Sequence, residues 1–131
     1  MDIELRMLAW AVVLGLAQLL IAATAGTAQR GLKWNVSARD GQPQALTGVA
    51  ARLQRAWCNF LETFPFFAAL VLAVVVTHRQ SAHTALAVQL YFWARLIYVP
   101  LYAAGIPYLR SLVWAVSLAA QVMLLWVVLL D

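Results

Sequence analysis

The residues of this sequence best suited to chemistry lie where an apolar chain should tolerate few polar groups. One run reads Arg52-Leu53-Gln54-Arg55-Ala56-Trp57-Cys58-Asn59-Phe60-Leu61-Glu62. At about 100° per residue, Arg52, Arg55, Asn59 and Glu62 share an arc about 80° wide on one helix. Tyr91, Arg95, Tyr98 and Tyr102 share an arc of about 60° further along, and so do Arg110, Trp114, Ser117 and Gln121, with Ser111 to one side. An ionised side chain at the centre of a membrane span costs about 2.5–3.5 kcal/mol, so Glu62 and Arg95 are expected to face each other, water or a ligand. The simplest expectation is a structural Glu62–Arg95 ion pair. It leaves a surplus: Arg52, Arg55 and Arg110 remain, while the other acids are Asp2, Glu4, Asp40 and Asp131. Snorkelling to lipid phosphates is one account of these arginines; the sharper account is a bound anionic small molecule.

The elements that must position these residues follow from composition. Of 131 residues, 65% are hydrophobic and 11% charged, with a mean hydropathy of +0.83, whereas a soluble domain is about a quarter charged. At about 1.5 Å per residue and about 30 Å of hydrocarbon, a span takes about 20 residues. The chain therefore has room for four spans and one substantial loop, and for no nucleotide-binding sheet domain. The spacing predicts an all-α integral membrane protein, a single four-helix transmembrane domain with spans at about 5–28, 48–77, 82–103 and 107–130. Pro107 suits the first turn of the last span. The residues from 29 to 47 carry Arg30, Lys33, Arg39, Gly41 and Pro43 and read as the loop.

Ala23-Thr24-Ala25 has the look of a signal-peptide cleavage site, but Asp2 and Glu4 outweigh Arg6 ahead of it and the apolar run is too long, so a retained helix is expected. Basic residues concentrate on the side of the loop, which predicts a cytoplasmic loop and both termini on the non-cytoplasmic side. The net charge of +4 is read as topology and anion binding, with no nucleic-acid partner, because most arginines sit in or beside the spans. A lone Cys58 excludes an internal disulfide framework, and His78 and His83 have no cysteine partner at zinc spacing, so no metal site is expected.

The pattern Arg52-x-x-Arg55-Ala56-x-x-Asn59-x-x-Glu62-x-Phe64-Pro65-x-Phe67 resembles the second-helix signature of the membrane-associated proteins in eicosanoid and glutathione metabolism, the MAPEG family. Phe92-x-Ala94-Arg95-Leu96-x-Tyr98-x-x-x-Tyr102 is similar to the third-helix segment of its leukotriene C synthase branch. Arg110-Ser111 falls where the family opens its fourth helix with a catalytic arginine. The likeness covers essentially the whole chain and is strongest to small bacterial members, which places the expected protein in a bacterial inner membrane among lipids.

The resemblance implies a homotrimer that binds glutathione between protomers as thiol co-substrate and admits a lipophilic small-molecule substrate from the bilayer. It implies that Arg55, Asn59 and Glu62 hold the carboxylates and amine of the peptide, that Tyr98 and Tyr102 close the pocket, and that Arg110, with Ser111 beside it, sits at the thiol. It further implies that Arg30 reaches the pocket from the first helix and that Arg95 is the partner of Glu62. The implied function is a glutathione-dependent transferase or peroxidase of the detoxifying kind. Two departures bear on affinity and reaction type: some members carry a further arginine where Cys58 stands, and some a tyrosine at Trp114. The alternatives are a non-catalytic lipid-binding protein, in which the same residues hold an anionic headgroup, and a small transporter built on Glu62 as a membrane-embedded carboxylate.

Overall fold

A computed structural model describes residues 1–130; Asp131 lies outside the described residues. Four long helices account for most of the chain: α1 (Ile3–Arg30), α3 (Gly48–Val76), α4 (Ala82–Ala103) and α5 (Pro107–Leu130). Each is long and apolar enough to cross a membrane, and no strand occurs among the described residues. The segment read as loop contains one further element, the short helix α2 (Leu32–Val36).

Local chemistry explains where the helices stop. Gly31, at φ 92°, breaks α1 from α2 in a conformation that side chains resist. Ser81 opens α4 with a capping box, its hydroxyl accepting from the Thr84 amide while the Thr84 hydroxyl accepts from the Ser81 amide. Gly105, at φ 75°, turns the chain into Pro107 and α5. Pro65 and Pro100 sit inside α3 and α4, where each removes one backbone donor.

Side-chain bonds give the arrangement of the bundle. Gln29 at the end of α1 and Thr47 at the start of α3 exchange two hydrogen bonds, Nε2 to the Thr47 carbonyl at 2.9 Å and the Thr47 amide to Oε1 at 3.0 Å. At the opposite end Thr84 donates to the carboxylate of Glu4 at 2.7 Å, so α1 and α4 run parallel, with α3 and α5 antiparallel to them. Arg79, in the turn between α3 and α4, donates to the carbonyls of Val127 and Val128 at 3.2 and 2.6 Å and closes the C-terminal end of α5.

The core between the helices is made by Met7, Ala11, Phe67, Val71, Val74, Ala87, Val88, Tyr91, Ala120 and Leu124. Phe67 and Tyr91 stack with ring centroids 3.8 Å apart. Large apolar side chains such as Leu20, Phe66, Trp126 and Leu129 point outward, the surface expected where the surrounding medium is lipid.

Candidate functional site

Three helix ends converge at the end of the bundle that carries Arg52, Arg55 and Arg110. Arg52, near the start of α3, donates from Nε to the carbonyl of Ala103 at 2.9 Å, so it holds the α4–α5 turn in place. One turn on, Arg55 and Asn59 follow along α3. The last two turns of α4 present Tyr98 and Tyr102, which meet edge to face at 5.5 Å. The first turns of α5 present Arg110, Ser111 and Trp114.

A cavity of about 120 Å³ lies between these elements, lined by Asn59, Tyr98, Arg110, Ser111 and Trp114. The guanidinium of Arg110 stands 4.6 Å from the centroid of the Tyr102 ring, and that of Arg55 stands 5.8 Å from the same centroid, so one aromatic ring attracts two cations. The hydroxyl of Ser111 donates to the Pro107 carbonyl at 3.2 Å. Two polar atoms of the lining, Asn59 Oδ1 and Trp114 Nε1, are buried without a hydrogen-bond partner among the described residues, and buried polar groups in native proteins are ordinarily partnered. The site thus offers one fixed cation, one free acceptor and one free donor to a ligand.

The residue that sequence reasoning leaves off the expected site is Trp114. Its signal is present, since it shares the stripe of Arg110 at the helical spacing of four residues.

Two expectations about the neighbouring charges change. The Glu62–Arg95 ion pair is not formed within the chain. Arg95 lies in the middle of the buried stripe of α4, from Thr84 through Tyr91 to Tyr98, and is 1% exposed. None of its three guanidinium nitrogens has a hydrogen-bond partner. Glu62 is exposed, about 200° around α3 from the buried Phe60. One residue points into the bundle and the other away from it, so the membrane spacing that suggested the pair does not make it.

Arg30 likewise stands apart from Arg110. It donates from Nε to the carbonyl of Gln44 at 2.7 Å and lines a separate cavity of about 440 Å³ with Trp34, Arg39, Leu46 and Gln54. The structure therefore gathers Asn59, Tyr98, Arg110 and Ser111 on one cavity, brings Tyr102 and Arg55 next to it through the contacts of Tyr102 with both guanidiniums, and leaves Glu62 and Arg30 outside its lining. Among the described residues no three of His, Cys, Asp or Glu gather as a metal site.

The MAPEG family profile matches residues 7–130, all four long helices and the site just described. The chain belongs to the MAPEG family. No curated protein matches it closely enough to lend an individual activity. As a MAPEG protein it is an integral membrane protein of the kind associated with glutathione and eicosanoid metabolism. The basic, aromatic character of the cavity lies on the stretch of chain that the family profile covers.

Proposed function

We propose that this MAPEG protein is a glutathione-dependent transferase or peroxidase that turns the thiol of glutathione into a thiolate beside Arg110. The observation that carries the reading is the cavity at the junction of α3, α4 and α5, where Arg110 is held over Tyr102 and where Asn59 and Trp114 each keep an unused hydrogen-bonding atom. Glutathione has two carboxylates and one ammonium. Arg55 takes a carboxylate, Asn59 and Glu62 take the ammonium end, and Tyr98 and Tyr102 close the pocket. Arg110 is left for the sulfur, with the hydroxyl of Ser111 next to it.

A thiol with an ordinary pKa of about 8.5 is mostly protonated at neutral pH, and each unit of lowering needs about 1.4 kcal/mol of preferential thiolate stabilisation. One charge-assisted hydrogen bond from a guanidinium in a partly dry site supplies that amount. The proton leaves to solvent, and the thiolate attacks a lipophilic electrophile arriving from the bilayer. On an activated aromatic halide the C–S bond forms as the carbon–halogen bond breaks and halide departs with its electron pair.

Size supports assembly from more than one copy. The cavity of about 120 Å³ within one chain is well below the range of about 300–1,000 Å³ usual for small-molecule sites. Arg55 and Glu62 stand exposed beside it. A homotrimer in which a neighbour covers this face completes the site and gives Glu62 and Arg30 a ligand to address. The basic loop faces the cytoplasm and both termini lie on the other side of a bacterial inner membrane, following the distribution of arginine and lysine.

Conjugation of glutathione to an activated aromatic halide by the detergent-solubilised protein tests the reading. Wild type is expected to be active and Arg110→Ala to lose at least tenfold in kcat. Equal rates in the two remove Arg110 from the mechanism, and no heat of binding at millimolar glutathione removes the whole class.

A further inference from the structure

The membrane-embedded part of the bundle holds a full positive charge that no described residue neutralises. Arg95 is 1% exposed, and its Nε, Nη1 and Nη2 are all without a partner. Its guanidinium lies 4.3 Å from the centroid of Tyr98 and 5.8 Å from that of Phe60. Ring faces attract a cation but leave its charge uncompensated, and a lone buried charge in a membrane span is strongly disfavoured.

The described carboxylates are all engaged or placed elsewhere. Glu4 accepts from Thr84 at the far end of α4 and Asp2 accepts from Gln80. Asp40 is in the exposed loop and Glu62 is on the exposed face of α3.

Other unused polar atoms lie about one helical turn to either side of this level. The Glu4–Thr84 bond sets Gly15 of α1 level with Arg95, each eleven residues on, and Gln18 lies three residues, or about 4.5 Å, beyond it. The stacking of Arg110 over Tyr102 sets Ser117 of α5 level with Arg95, each seven residues away, and Gln121 lies about 6 Å beyond in the opposite direction. Gln18 and Gln121 are both buried, and Gln18 Nε2, Gln18 Oε1 and Gln121 Nε2 have no partner. The three guanidinium nitrogens of Arg95 can only donate and carry a positive charge, so they call for a species that accepts hydrogen bonds and is negatively charged. A neutral water satisfies part of the donor set and leaves the charge.

We propose that Arg95 holds a small monovalent anion of halide size inside the helical bundle, with its guanidinium nitrogens as the donors. The site is separate from the cavity at Arg110 and does not depend on the glutathione reading, since Tyr98 stands between the two arginines, with its ring against Arg95 and its edge on the cavity.

The probe is bromide, used with the intact protein in detergent and without glutathione. Crystals grown in sodium bromide are expected to show an anomalous peak within hydrogen-bond distance of the Arg95 guanidinium. Wild type is expected to melt several degrees higher in chloride or bromide than in gluconate at equal ionic strength, and Arg95→Gln is expected to lose that difference. A bromide map with ordered Arg95 and no peak beside it overturns the proposal, as does the same halide response in wild type and Arg95→Gln. Should Arg95→Gln fail to fold, the wild-type map decides alone. A protein that binds bromide but not glutathione keeps this inference while losing the proposed activity, and the reverse result separates them in the other direction.

Discussion

Tyr102 shows how a single side chain organises the candidate site, because two guanidiniums, of Arg55 and Arg110, lie within 5.8 Å of its ring. Replacing it with leucine keeps the apolar bulk and removes the quadrupole that attracts both cations. Tyr102→Leu is expected to raise KM for glutathione several-fold and lower kcat, read in the conjugation assay. Gly15 matters for a steric reason. A β-carbon there would lie 2.9 Å from Cε1 of Phe60, whose ring is also against Arg95. Gly15→Ala therefore has to move a buried aromatic ring, and a loss of about 1–3 kcal/mol in stability is expected, seen as a lower Tm in detergent. Thr84 is the hydroxyl donor to the carboxylate of Glu4, which is 2% exposed. Thr84→Val removes that donor at nearly constant shape and is expected to cost about 1–3 kcal/mol, while Ser at the same position retains most of the stability.

At the scale of elements, two helix ends are held by arginines, one of which, Arg52, the sequence alone suggests for a ligand or lipid. Arg52 ties α3 to the end of α4 through the Ala103 carbonyl, and Arg79 closes α5 through Val127 and Val128. Both use a charged donor on orphan carbonyls at a helix C-terminus, where a cation is favoured. Arg79→Ala is expected to speed amide hydrogen exchange in the last turn of α5 while leaving the middle of the helix protected. Uniform protection in both proteins would show that the contact does not hold that end. The three polar stripes are legible in the amino-acid sequence, since which residues share a face depends only on about 3.6 residues per turn. The helical period carries no information on where each stripe points. The stripes of α4 and α5 turn into the bundle, whereas on α3 Phe60 turns inward and Glu62 outward.

For the molecule as a whole, the four-helix bundle leaves Arg55 and Glu62 on an exposed face beside a cavity too small for a tripeptide. In the proposed homotrimer that face is covered, so native mass spectrometry is expected to find three copies. Arg55→Ala is expected to keep that assembly while raising KM for glutathione roughly tenfold through loss of a charge-assisted contact.

The amino-acid sequence by itself determined the membrane environment, the four spans, the residues that share each helix face and the family. The first three follow from composition and from the short-range geometry of a helix, both properties of neighbouring residues; the family follows from the likeness of the chain to the MAPEG profile. Only the tertiary structure decided that Arg95 is buried apart from Glu62, that Arg30 belongs to a different cavity from Arg110, and that Trp114 joins Asn59 and Tyr98 at one wall. Those outcomes depend on how four helices rotate and slide against one another. Long-range packing and a few side-chain bonds, such as Glu4 to Thr84 and Gln29 to Thr47, set that arrangement, and no local pattern in the chain encodes it.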